Sequence, residues 1–183
     1  GSELSTLVAY GTRWGSTKDV AMELASLIRK KGISTDMVDL GKNDTIDLEP
    51  YDMVVIGSGI AYGSWSKGAV RFLERNAKTL SDKRLAMFAC CGDLLFDPSK
   101  TEEYENRYLR EVAKKFELEP FSLGLFGGVI DFERYSFLVK GILSMRNAGK
   151  KDMKERGIDP DRPYDFRDWD MIRAWGESLL EDD

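Results

Sequence analysis

The chain alternates between short runs of consecutive apolar residues and longer stretches in which apolar residues recur every three or four positions. The short runs predict buried strands, and the longer stretches predict amphipathic helices. Five strands are predicted in chain order, at 5–10, 33–40, 53–58, 85–90 and 121–129. The predicted helices that alternate with them lie at 16–31, 67–78, 102–116 and 169–180.

Strands that are apolar throughout and separated by helices are typical of a parallel sheet covered on both faces. The expected fold is therefore α/β, a doubly wound five-stranded sheet of order 2-1-3-4-5. We expect residues 3–183 to form one domain, with an insertion at 132–153 after the fifth strand. In such a fold a ligand lies beyond the carboxyl ends of the strands, so the loops after strands one, three and four should meet.

The turn after the first strand combines features that bind a phosphate. It carries glycine and hydroxyl residues and leads directly into a helix, whose free N–H groups and positive dipole end attract an anion. A Walker loop is excluded because only three residues separate Gly11 from Gly15, and the dinucleotide fingerprint lacks its third glycine. An ordinary strand–helix turn is the alternative. The predicted phosphate-binding residues are Thr12, Arg13, Trp14, Gly15, Ser16 and Thr17.

The Thr-x-x-Gly-x-Thr pattern of this turn resembles the FMN phosphate loop of the flavodoxin superfamily, although Trp14 stands where a hydroxyl residue is usual. The resemblance implies FMN as the cofactor. The glycine- and aromatic-rich loop after strand three suits an isoalloxazine ring, because aromatic side chains cover its faces while backbone groups reach its edge. Trp65 is left open between flavin contact and core packing, and Cys90 is expected in the core. The further predicted cofactor-binding residues are Ser58, Gly59, Ile60, Ala61, Tyr62, Gly63, Cys91, Gly92 and Asp93.

Composition argues against several classes of function. The net charge of −5 leaves no dense basic stripe for a nucleic-acid partner. No apolar stretch is long enough for a transmembrane helix. The chain has no histidine, and its two cysteines are adjacent, so we predict no metal site and no Ser-His or Cys-His catalytic residues. Two unbridged cysteines are typical of a reducing compartment, so we expect a cytoplasmic protein.

The resemblance is strongest to the branch of the flavodoxin superfamily that includes menaquinone-dependent protoporphyrinogen oxidases. That branch shares Arg13 in the phosphate loop, the run from Val54 to Gly63, and an aromatic-basic insertion before the last helix. Between Arg134 and Arg156, seven basic residues against two acidic ones give a local charge of +5. The insertion is expected to pack on its own domain, form a homodimer, or contact a partner, a substrate or a membrane surface.

Two functional classes stay open from the sequence. The favoured one is a soluble electron carrier, in which bound FMN passes electrons between redox partner proteins without any general base or nucleophile. The alternative, implied by the resemblance, is an FMN-dependent enzyme similar to protoporphyrinogen oxidase that passes electrons from a porphyrinogen to a quinone. A third class, an interaction module without flavin, is disfavoured by the intact cofactor loops.

Overall fold

Five parallel strands form the central sheet in the order β2-β1-β3-β4-β5, which confirms the predicted topology. The computed structural model describes residues 5–136 and 138–181, so the predicted domain limits at 3 and 183 and Phe137 of the insertion lie outside the described residues. The strands are β1 (Thr6–Gly11), β2 (Thr35–Asp39), β3 (Met53–Gly59), β4 (Arg84–Cys90) and β5 (Ser122–Phe126).

Successive residues of a strand point to opposite faces of the sheet. Because both faces of this sheet are apolar, helices cover both of them. Leu7 and Ala9 of β1 face a core beneath one set of helices, whereas Val8 and Tyr10 face the opposite core. The first set contains α2 (Lys67–Leu80), α4 (Thr101–Glu105), a π-helical segment (Asn106–Arg110) and α5 (Glu111–Lys115). The second set contains α1 (Ser16–Lys30) and α7 (Trp169–Ser178).

The structure departs from the predicted elements in three places. The predicted helix at 102–116 is interrupted by the π-helical segment. The loop after β4 contains a short helix, α3 (Asp93–Phe96), followed by a 3₁₀ turn, Pro98–Lys100. The predicted strand at 121–129 ends at Phe126 because Gly127 lies against another stretch of backbone, and an added Cβ there would meet the carbonyl oxygen of Phe166 at 2.6 Å.

The chain leaves the sheet between β5 and α7. This excursion contains β6 (Val129–Ile130), a 3₁₀ turn (Phe132–Arg134), α6 (Ile142–Glu155) and β7 (Tyr164–Asp165). Strands β6 and β7 pair antiparallel as a separate ribbon.

A third, smaller core forms where Ile130, Phe132 and Met153 pack together with residues of α3. The predicted insertion therefore packs on the loop after β4, at the carboxyl edge of the sheet. None of the described helices is long and apolar enough to cross a bilayer.

Candidate functional site

The turn after β1 leaves the N-terminus of α1 without a side-chain cap. Gly15 is the N-cap residue, with φ 96° and ψ −11°, and its N–H donates to Thr12 Oγ1 at 2.8 Å. A left-handed conformation of this kind is readily adopted by glycine alone. Within residues 5–136 and 138–181 no side chain caps the first turn of α1, so its N–H groups are available to an anion.

A narrow cleft of about 40 Å³ lies at this turn, next to a larger cavity of about 440 Å³. The two spaces adjoin each other, since both are lined by Ile60, Gly92, Ile130 and Tyr135, and we call them together the groove. The cleft is also lined by Thr12, Arg13, Trp14, Ser16, Thr17, Gly59, Ala61, Cys90, Gly128 and Val129. The cavity is also lined by Tyr62, Gly63, Asp93, Phe96, Tyr108, Phe132, Met145, Ala148, Gly149 and Asp152.

Most of the predicted cofactor-binding residues therefore meet along one groove. Gly15 shapes the turn without lining the groove. Ser58 is fully buried and structural, since its hydroxyl donates to the carbonyl of Gly59 and accepts from the N–H of Ser66. Cys90 lies in the core as expected, although it also borders the cleft. Cys91, predicted to bind the cofactor, packs in the opposite core and lines neither the cleft nor the cavity.

Aromatic rings and a guanidinium join the turn after β1 to the insertion. The guanidinium of Arg13 lies over the ring of Tyr62 at 4.7 Å and near that of Trp14 at 5.5 Å. The ring of Tyr135 meets both aromatic rings edge-on, at 5.4 Å from Trp14 and 5.7 Å from Tyr62. Tyr62 also accepts a hydrogen bond at its hydroxyl from the N–H of Ser136, at 3.0 Å. The insertion thus closes over the cleft.

Tyr62 has a left-handed backbone, with φ 53°. Such a conformation costs a non-glycine residue of order 1–3 kcal/mol and persists where the surrounding contacts fix it. The contacts with Arg13, Tyr135 and Ser136 are those constraints here.

On the other side of the cavity, the hydroxyl of Tyr108 donates to Asp93 at 2.6 Å. Tyr108 belongs to the π-helical segment, and its carbonyl accepts from the indole N–H of Trp65 at 2.7 Å. Trp65 is only 6% exposed and is therefore a packing residue that positions Tyr108. Burial and the adjacent Asp93 raise the pKa of the Tyr108 hydroxyl, so that it stays protonated and acts as a donor at neutral pH.

Neither cysteine is an ionised nucleophile. Burial raises the pKa of the Cys90 thiol to about 12, and burial together with the charge of Asp93 raises that of Cys91 to about 12. Thiolate is the reactive form of cysteine, so both side chains are inert at neutral pH.

Arg167, in the connection between β7 and α7, fixes the first turn of α1. Its guanidinium donates to the carbonyl of Ser16 at 2.9 Å, to Asp19 at 3.0 Å and to Asp165 at 2.6 Å. The hydrogen bond from Arg167 holds the pKa of the Asp165 carboxyl below its usual range. Arg167 therefore links the chain that follows the insertion to the turn after β1.

A model of the flavodoxin domain matches residues 7–156. The chain belongs to the flavodoxin domain family. It is 25% identical over 180 residues to the protoporphyrinogen IX dehydrogenase [quinone] of Escherichia coli K12, and the match covers 96% of this chain and 94% of that protein.

Solved structures share the fold of this flavodoxin-domain chain at low identity. A flavoprotein from Lactobacillus acidophilus, solved in complex with FMN, gives a TM-score of 0.50 at 16% identity and covers 67% of this chain and 93% of that one. Rubredoxin oxygen:oxidoreductase from Desulfovibrio gigas gives a TM-score of 0.52 at 12% identity. That match covers 96% of the present chain but only 36% of the Desulfovibrio protein.

The insertion and its flanks contribute to this groove, which agrees with one of the roles left open for the insertion, but its lining residues were not predicted individually. Ile130, Phe132, Tyr135 and Met145 line the groove but were not predicted as site residues. Their apolar and aromatic character was visible in the sequence, but nothing in the spacing showed that this segment returns to Tyr62, 74 residues earlier in the chain.

Proposed function

We propose that this flavodoxin-domain chain is an FMN-dependent oxidoreductase of the protoporphyrinogen dehydrogenase type, which passes electrons from a porphyrinogen-like substrate to a quinone. The observation that carries the proposal is the groove at the uncapped N-terminus of α1, whose larger cavity is walled on one side by the insertion. A simple electron carrier needs the cleft and the part of the cavity that holds the flavin ring. The apolar wall that Phe132 and Met145 of the insertion add to the cavity is further room, which suits a substrate.

The cleft suits the phosphate of FMN. It is lined by the hydroxyl residues Thr12, Ser16 and Thr17 and by the cationic residue Arg13. Backbone N–H groups at the start of α1 supply further donors. Bound FMN accepts and releases electrons, while the chain binds it, orients it and excludes water.

The cavity suits the flavin ring together with part of a flat organic substrate. Its 440 Å³ fall within the range of about 300–1,000 Å³ that is usual for small-molecule sites. Its walls are mostly apolar or aromatic, and Asp93 and Asp152 are the charged residues among the described ones that line it. The nearly full-length match to the Escherichia coli dehydrogenase supports a porphyrinogen as the substrate.

The proposal is tested by turnover. The chain is loaded with FMN, and anaerobic oxidation of protoporphyrinogen IX is followed by the fluorescence of the product, with a water-soluble naphthoquinone as acceptor. We expect product formation that depends on both FMN and the quinone. Tyr135→Ala should slow it by opening the cavity. Phe121→Ala, which removes a half-exposed aromatic ring just before β5, away from the groove lining, is the control.

The second candidate is the electron carrier favoured by the sequence, and the acidic net charge of −5 supports it because it suits docking on basic partner proteins. A chain that retains FMN, accepts electrons one at a time in two well-separated steps, and fails to oxidise the porphyrinogen with any quinone would select the carrier.

A further inference from the structure

The larger cavity of the groove contains a carboxylate that has no cationic partner. Asp93 and Asp152 are the charged residues that line this cavity, and the rest of its described lining is glycine, aliphatic or aromatic. Asp152 forms an ion pair with Arg156 at 3.2 Å, whereas Asp93 has no such partner within residues 5–136 and 138–181. A carboxylate in apolar surroundings without a cation is costly, and exceptions of this kind are concentrated at functional sites.

A chain of hydrogen bonds holds this carboxylate in place. The indole N–H of Trp65 donates to the carbonyl of Tyr108 at 2.7 Å, and the hydroxyl of Tyr108 donates to Oδ2 of Asp93 at 2.6 Å. Tyr108 is buried and belongs to the π-helical segment, a type of helical turn that is rare and frequent at functional sites. In the part of the chain that the structure describes, no N–H or O–H group donates to Oδ1. Asp93 therefore offers a fixed and unused acceptor oxygen at the cavity wall.

The oxidation of a porphyrinogen needs an acceptor of this kind. Every pyrrole ring of the substrate carries an N–H group, and oxidation removes a hydride from a carbon that bridges two rings together with a proton from a pyrrole nitrogen. A base within hydrogen-bond reach of that proton accelerates its departure.

Asp93 is the base that the cavity offers. The chain has no histidine, and no lysine belongs to the described lining. Burial raises the pKa of the Tyr108 and Tyr135 hydroxyls, so both stay protonated at neutral pH. The thiols of Cys90 and Cys91 are protonated for the same reason.

We propose that Asp93 accepts the proton that the porphyrinogen-like substrate loses on oxidation. This inference deepens the proposed function and rests on it. The C–H bond at a bridging carbon breaks, and its hydrogen leaves with the electron pair as a hydride to the flavin. The neighbouring N–H bond breaks, its proton passes to Oδ1 of Asp93, and its electron pair stays on nitrogen and cancels the positive charge left by the hydride. Asp93 is half-buried and passes the proton on to water, while the quinone takes up the hydride from the flavin and a proton from water.

The test isolates the step in which the substrate reduces the flavin. The FMN-loaded chain is mixed anaerobically with protoporphyrinogen IX in the absence of quinone, and the loss of visible flavin absorbance gives the rate. Asp93→Asn keeps the shape of the side chain and an acceptor for Tyr108 but removes the base, so the rate should fall by roughly 10²–10⁴-fold.

Asp97→Asn is the matched control, because it removes the same charge at the other end of α3. Asp97 does not line the groove, and its side chain accepts from the N–H of Ser99, a capping role that asparagine also fills. We expect Asp97→Asn to reduce its flavin at the rate of the unaltered chain.

Two equilibrium measurements separate the loss of a base from damage to the site. Quenching of flavin fluorescence gives the Kd for FMN, and quenching of tryptophan fluorescence gives the Kd for protoporphyrin IX, the oxidised product. Both should stay the same in Asp93→Asn, because asparagine has the shape of aspartate and still accepts the hydrogen bond from Tyr108.

Flavin reduction in Asp93→Asn at the rate of the unaltered chain would overturn the proposal, as would an equal loss of rate in Asp97→Asn. A loss of affinity for protoporphyrin IX as large as the loss of rate would also overturn it, because Asp93 would then bind the substrate without accepting its proton. If protoporphyrinogen IX never reduces the flavin of the unaltered chain, the proposed function is wrong, and the role of Asp93 with it.

Discussion

The substitution Gly15→Ala tests how much the turn after β1 contributes to FMN binding, because it adds little besides backbone strain. Gly15 has φ 96°, and a Cβ added there would have no other atom within 4 Å. The left-handed conformation costs an alanine about 1–2 kcal/mol. Gly32, just beyond the other end of α1, has φ 83° and equally open surroundings, so Gly32→Ala is a matched control.

The two alanine variants should differ in which property the strain changes, the free energy of unfolding or the affinity for FMN. Gly32→Ala should lower the free energy of unfolding by about 1–2 kcal/mol, which shifts Tm by about 2–8 °C in a chain of this length. It should leave FMN binding unchanged. In Gly15→Ala the free turn relaxes to a negative φ, and FMN must restore the strained turn on binding. The free energy of FMN binding should therefore weaken by the same 1–2 kcal/mol, which raises the Kd by a factor of about 5–30.

Titration of the apoproteins into FMN, followed by quenching of flavin fluorescence, measures the two dissociation constants, and thermal unfolding by circular dichroism measures the two stabilities. Equal FMN affinities for Gly15→Ala and the unaltered chain would refute the assignment of this turn to the cofactor phosphate. Equal losses of affinity in Gly15→Ala and Gly32→Ala would show that α1 as a whole, and not its N-terminus, governs binding.

Two further predictions concern the cavity wall and the cysteines. Trp65→Phe should lower the free energy of unfolding in urea by about 1–3 kcal/mol, because the buried carbonyl of Tyr108 loses its donor; an unchanged value would show that this hydrogen bond is dispensable. Cys90 and Cys91 should react with a thiol reagent at pH 8 on the order of 10³-fold more slowly in the native chain than in urea, since their pKa is raised from 9.0 to about 12. Because unfolded thiols lose their protons first, the free energy of unfolding should also fall between pH 9 and 12, and a flat profile would contradict the burial of these groups.

The sheet order could be predicted because apolar runs and helical spacings alternate cleanly, and because parallel strands need helical crossovers. The meeting of the turn after β1 with the loop after β3 could be predicted for a related reason, since each follows its strand directly at the carboxyl edge of a parallel sheet. The predicted residues from Thr12 to Thr17 accordingly surround or shape the cleft.

The parts of the fold and of the candidate site that could not be predicted depend on contacts between segments that are distant along the chain. The π-helical segment has the same apolar spacing as an α-helix, so nothing in the sequence marks the extra residue that directs Tyr108 toward Asp93. The sequence could not show which of Cys90 and Cys91 faces the cleft, because neighbouring residues of an extended chain point to opposite sides. The closure of the cleft by Tyr135 depends on the path of the insertion, which no local pattern determines.

Both candidate functions require that this groove binds FMN. Binding is measured by titrating a fixed amount of FMN with the unaltered apoprotein, following the flavin fluorescence, and then passing the mixture through gel filtration. We expect quenching that ends at one chain per FMN and a yellow protein that keeps its flavin through the column. Undiminished FMN fluorescence in the presence of excess folded chain would contradict it.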